Sequence, residues 1–145
     1  MRDLLNLAAQ YGVRVEMCHI EDANGYYDAN GGRIYIDLSL TPNEVRSVFA
    51  HELGHVHHGH TCDAGPNSPE ERQARAFAAE LLVHPADYAE AEHISADAFH
   101  IADELGVTVN VIDDYRAMCL QRLGERTYGR TARGLLTNDL ARVLS

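Results

Sequence analysis

The middle of the chain carries one helix-start signature twice, and that repetition limits the fold more than any other feature. Thr41-Pro42-Asn43-Glu44 and Ser68-Pro69-Glu70-Glu71 each set a hydroxyl residue, then a Pro at the first helical position, then a Glu at the third. The hydroxyl accepts from the third backbone N–H, the Glu reaches back to the cap's own N–H, and Pro has no N–H to lose there. Behind the first start, Val45, Val48, Phe49, Glu52, Leu53 and Val56 recur at helical spacing, and Gly59 is a natural stop. Behind the second, Ala74, Phe77, Ala78, Leu81 and Leu82 mark an inward face ending near Pro85. The spacing predicts two amphipathic helices joined by a loop over 60–67.

The flanks are read the same way. Asp3 to Gln10 is a short helix with Leu4, Leu5 and Ala8 on one face, ended by Gly12. Val13 to Cys18 alternates like a strand. Tyr26-Tyr27 and Arg33 to Asp37 flank Asn30-Gly31-Gly32, a hairpin signal because Asn and Gly accept the positive φ of tight turns. Residues 96–105 and 108–123 read as helices around Gly106, and 137–144 as a last one. The fold class is α+β. A helix and a small antiparallel or mixed sheet occupy 1–40, the helix pair 41–85, and a mostly helical part 86–145. A single domain is expected for 145 residues.

Charge narrows the function classes. The net charge is −10, and all twelve cations are Arg. Nucleic-acid binding draws on neutralised phosphates, so direct contact with nucleic acid is not expected. No stretch approaches the roughly 18 apolar residues of a membrane helix, and Arg2 and Asp3 open a start unlike a signal peptide. The three cysteines, Cys18, Cys62 and Cys119, are odd in number and widely spaced. A reducing, cytoplasmic location is therefore expected, with no membrane partner.

Histidine is the anomaly: five of the nine fall between His51 and His60. His51-Glu52-Leu53-Gly54-His55 is an H-E-x-x-H sequence inside the first predicted helix. Residues four apart share a helix face, so both imidazoles can point at one cation. Neutral imidazole suits Zn²⁺ with three protein ligands and an open position, although other divalent ions fit the same donors. Glu52 sits beside His51, placed to take a proton from the attacking water and pass it to a leaving amine. Three fixed residues in five also arise by chance. The capped helix raises the reading above chance, as does Gly54, which costs about 1 kcal/mol in a helix interior and so calls for a packing reason.

Several residues could be the third ligand. Glu70, Glu71 and Glu80 lie on the second helix; His60, Cys62 and Asp63 are nearer in sequence. Glu71 lies one turn before Ala74 on the inward side and is favoured. Its rival role is purely structural, as the Glu of the Ser68 capping box. Glu70 is expected to be solvated and Glu80 to be a packing partner or a group behind the ligands.

The two segments VFAHELGHVHHGH and EERQARAFAAELLVHP together resemble the ImmA/IrrE family of metallopeptidases, of the zincin class with a glutamate third ligand. The family pattern pairs an H-E-x-G-H helix with a helix of the type E-x-x-A-[ND]-x-F-A-x-x-L-L-x-P, and the match runs from about Thr41 to Pro85. The resemblance implies that His51, His55 and Glu71 hold the metal and that Glu52 is the catalytic base. It also implies a protein substrate, a helix-turn-helix transcriptional repressor that is cleaved or lost. Two positions depart from the pattern. Arg75 stands where Asn or Asp usually orients the first His, a contact whose loss can weaken metal affinity or activity 10–100-fold. His84 stands before Pro85 where an apolar residue is common.

Other features carry weaker signals. His57, His58 and His60 could form a second metal site with Cys62, or be turn residues with His60 packed near the first site. Tyr88, His93, His100, Tyr115 and Tyr128 are eligible as donors to the carbonyl oxygen during cleavage. Residues 98–118 resemble a helix-turn-helix, but four acids against Arg116 favour a structural helix pair. Arg122, Arg126, Arg130 and Arg133 would form a basic stripe if one helix carried them. The expected function is a Zn²⁺-dependent endopeptidase with one ion per chain. The alternative is a metal-containing binding module that sequesters a repressor without cutting it.

Overall fold

The computed structural model describes residues 1–60, 65 and 67–120. The chain divides into two compact units, Met1–Ala78 and Ala79–Ser145. The predicted helix at 137–144, the Arg122 to Arg133 stripe, Tyr128, Cys62 and Asp63 lie outside the described residues.

The first unit opens with α1, Arg2–Gln10, which buries Leu4 and Ala8. Three strands follow: β1 (Arg14–Cys18), β2 (Gly25–Asp28) and β3 (Arg33–Asp37). They lie in the order β1-β3-β2. β3 pairs antiparallel with β2, with Tyr26 opposite Tyr35, as the Asn30-Gly31-Gly32 turn predicts. It pairs parallel with β1, with Glu16 opposite Tyr35, which makes the sheet mixed. Gly32 takes a φ of +65° in the turn, and Asp28 Oδ1 accepts from Asn30 N at 3.1 Å. Ile34 and Ile36 of the central strand are fully buried, with α2 packed against β2 and β3.

Asp37 closes β3 and is 6% exposed. Its carboxylate accepts from Ser39 Oγ at 2.6 Å and from Ile20 N at 3.1 Å. These bonds favour the charged form, and the Ser39 hydroxyl does most to hold this carboxyl below the ordinary range.

Helix α2 spans Pro42–His58 and α3 spans Pro69–Leu82. The capping box at Thr41 is complete. Glu44 N donates to Thr41 Oγ1 at 3.3 Å, and Thr41 N donates to Glu44 Oε1 at 2.9 Å. Phe49, Ala50 and Leu53 are buried to 1% exposure or less. Gly54 has the packing reason its position called for. A Cβ there would lie 2.8 Å from both Cα and O of Ala74. The two helix backbones approach so closely that no side chain fits between them.

The second unit holds α4 (Pro85–Ile94), α5 (Ala98–Leu105) and α6 (Val109–Asp114), and a π-helical stretch, Tyr115–Leu120, continues α6. Helix α4 is absent from the sequence reading. Its residues, PADYAEAEHI, show no apolar stripe, and only Tyr88 and Ala91 are buried. Tyr88, Ile101, Val107 and Ile112 form the buried centre of this unit. Arg116 Nε donates to the Tyr88 hydroxyl at 2.8 Å, and that hydroxyl donates to Glu92 Oε2 at 3.1 Å. No helix is long and apolar enough to cross a membrane among the described residues. Cys18 and Cys119 form no disulfide among the described residues.

Candidate metal centre

α2 and α3 bring four of the predicted site residues together. His51 and His55 sit one helical turn apart, their rings edge to face with centroids 4.9 Å apart. Both aim Nε2 at one carboxylate. His51 Nε2 lies 2.5 Å from Glu71 Oε1, and His55 Nε2 lies 3.1 Å from Glu71 Oε2. Glu52 is buried at 7% exposure. One donor atom from each of His51, Glu52 and His55 lies within 4.8 Å of the others.

The two roles weighed for Glu71 separate by atom. Its backbone N–H donates to Ser68 Oγ at 3.1 Å, the structural half of a capping box. Its carboxylate turns to the two imidazoles of α2. Ser68 therefore caps the helix through the Glu71 main chain, while the Glu71 side chain faces the neighbouring helix.

The donor set suits a divalent cation. Two imidazole nitrogens and a carboxylate are the ligand types of a three-coordinate zinc site with an open position. Ligand atoms about 2.0–2.1 Å from a tetrahedral zinc lie about 3.4 Å apart. The 3.1 Å from His55 to Glu71 is close to that, and the 2.5 Å from His51 to Glu71 is tighter.

Strand β2 bounds Glu52. A Cβ on Gly25 would lie 2.6 Å from Val48 Cγ1, 2.8 Å from Tyr35 O and 3.8 Å from Glu52 Cγ. The start of this edge strand thus rests directly over the acid. Gly25 has no mark in the sequence that separates it from a turn glycine.

The remaining candidates go elsewhere. Glu70 is half-buried and Glu80 exposed. His57 Nδ1 meets the Tyr11 hydroxyl at 2.7 Å, and the His57 ring stacks on Phe77 at 4.7 Å. His58 stacks against His60 at 5.5 Å, and burial, together with the neighbouring imidazoles, lowers its pKa. His60 does not aim at the carboxylate. Its Nδ1 lies 2.8 Å from His55 Nδ1, on the far side of that ring from Glu71, and its Nε2 lies 2.9 Å from Gln73 Oε1. Gln73 is a residue the sequence reading does not single out.

Of the residues eligible to donate to a carbonyl oxygen, Tyr88 and Tyr115 are 1% and 2% exposed, within the second unit. Burial pushes the Tyr115 hydroxyl up to about 12. His93 is exposed and His100 half-buried. Arg75 is half-buried on α3, and His84 caps α4 in an extended conformation.

The family model described as the IrrE N-terminal-like domain, Peptidase_M78, matches residues 5–116. No curated protein and no solved structure matches the chain. The matched stretch contains the sheet, the H-E-L-G-H helix and the helix that carries Glu71. The chain belongs to this family, the ImmA/IrrE metallopeptidases.

Proposed function

We propose that the protein is a Zn²⁺-dependent endopeptidase in which His51, His55 and Glu71 hold the ion and Glu52 is the general base. The observation that carries this reading is the convergence of two Nε2 atoms on the Glu71 carboxylate beside a buried Glu52. When bound, the ion supplies Lewis acidity to the attacking water and the scissile carbonyl. Glu52 takes the proton from that water and delivers it to the leaving amine nitrogen. Its burial holds it out of bulk water beside the two imidazoles. β2 lies at the edge of the sheet with its first residue over Glu52. An extended peptide added along that edge would pass its backbone over the acid.

The substrate class follows from the family resemblance: a helix-turn-helix transcriptional repressor, met in the cytoplasm.

Elemental analysis of the purified chain is expected to find one zinc per chain in wild type, Glu70→Ala and Glu80→Ala, and little in Glu71→Ala. Glu52→Gln should retain the metal and lose cleavage by about 10²–10⁴-fold, read by mass spectrometry of new termini in a panel of helix-turn-helix repressors. Retained cleavage in Glu52→Gln rejects the base. Complex formation without any new terminus, in wild type and Glu52→Gln alike, selects sequestration over hydrolysis.

A further inference from the structure

We propose that His60 is a positioning residue for the metal centre: together with Gln73 it sets the tautomer of His55, so that the Nε2 lone pair faces the ion. The inference rests on the proposed metal reading and extends it to residues outside the H-E-L-G-H motif.

The backbone places His60. Gly59 ends α2 in the left-handed region, with φ 70° and ψ 29°. The chain then folds back in a Schellman turn. Gly59 N donates to Val56 O at 3.1 Å, and His60 N donates to His55 O at 2.9 Å. The second bond ties the main chain of His60 to the main chain of His55. The side chains of the same two residues then meet, Nδ1 to Nδ1, at 2.8 Å. This pair is therefore joined twice, once through the main chain and once through the rings.

Hydrogen counting gives the pair a direction. Two Nδ1 atoms in contact need one hydrogen between them, on one ring only. A glutamine Oε1 accepts and cannot donate. With the Gln73 amide placed so that Oε1 faces His60 Nε2 at 2.9 Å, His60 Nε2 carries the hydrogen. A neutral His60 then has its lone pair at Nδ1. His55 Nδ1 must be the donor to it, and a neutral His55 keeps its remaining lone pair at Nε2, the atom 3.1 Å from Glu71 Oε2. A ligating imidazole needs that form, held by an acceptor behind its other nitrogen. Two acceptors face each other at Nε2 and Oε2, a repulsion that a cation between them removes.

Helix α3 supplies both ends of the arrangement. Glu71 meets the front of the His55 ring, and Gln73, two residues on, terminates the chain of bonds behind it. The His58 ring lies nearly parallel to that of His60, at 15° between planes with centroids 5.5 Å apart.

The test uses the full chain at a pH where imidazoles are neutral. Nitrogen-15 imidazole spectra of the metal-free protein read the tautomer, and zinc affinity is read by competition with a chromophoric chelator. In wild type, His55 should carry hydrogen on Nδ1 and none on Nε2. His60→Leu should lose that single form and bind Zn²⁺ 10–100-fold more weakly. His60→Asn, whose Oδ1 accepts where Nδ1 did, should restore both readouts, which a role in packing alone would not. Gln73→Leu, exposed and outside the turn, should shift them in the same direction by less. Protonated Nε2 on His55 in wild type overturns the proposal, as does undiminished zinc affinity in His60→Leu. A wild-type chain that binds no zinc overturns the metal reading instead, whatever the tautomer.

Discussion

Among the described residues, three helices end in the same backbone device and use it differently. α1 ends at Gly12, α5 at Gly106 and α2 at Gly59, with φ of 73°, 72° and 70°. In each, the residue after the glycine donates its N–H back across the last turn: Val13 to Ala8, Val107 to Ala102, His60 to His55. A Schellman turn of this kind commonly brings an apolar pair into contact. α1 and α5 follow that rule, with Val13 and Ala8 at 9% and 2% exposure and Val107 and Ala102 at 1% and 5%. At α2 the two apolar positions are taken by half-buried histidines joined through their rings. The same turn therefore closes a core in two places and, in the third, joins two imidazoles, one of which is the proposed metal donor.

Exchanging the side chains breaks the comparison most sharply. Val107→His puts an imidazole into a fully buried apolar contact and should lower stability by about 2–5 kcal/mol, read by urea denaturation. The reverse change, His60→Val, makes α2 end like its siblings. It should leave the denaturation midpoint nearly unchanged while zinc affinity falls. Equal losses of stability in both variants would erase the distinction.

The glycines give a middle-sized effect. A Cβ at Gly12 or Gly59 meets nothing within 4 Å, so alanine suffers only from the left-handed backbone. Gly12→Ala and Gly59→Ala should each lose about 1–2 kcal/mol, visible as similar falls in melting temperature. Zinc affinity should fall for Gly59→Ala alone.

The smallest effect tests the apolar character of the second unit. Tyr115 has a buried hydroxyl with no hydrogen-bond partner among the described residues. Tyr115→Phe removes that group and keeps the ring 5.0 Å from Tyr88. The melting temperature should hold or rise slightly, because a buried unpaired polar group is a cost to the folded state. A fall would mean that this hydroxyl is satisfied after all.

Much of the site was legible in the residues because its signals are local. Thr41 and Ser68 announce two helix starts, and the spacing of His51 and His55 implies one shared face. Gly54, costly in a helix interior, foretold the close approach that Ala74 completes. Glu71 was harder, since one residue type signals both a cap and a ligand. Only the structure separates the N–H that bonds Ser68 from the carboxylate that turns to α2. His60 was noticed only as a neighbour. Its role needs a left-handed Gly59 and a partner thirteen positions away on another helix, and neither is a periodic feature. α4 escaped because helices rich in Ala and Glu, with little buried surface, lack the apolar rhythm that marks the others.

Gly54 has a consequence for the kind of ion this scaffold could select. The residue lies between the two histidines on α2 and against the main chain of α3, so it works as a gauge block between the helices. On the proposed metal reading, a methyl there would meet the main chain of Ala74, three residues after Glu71, and should widen the space between the donors. Gly54→Ala is then expected to change the order of affinities among divalent ions without touching any of them.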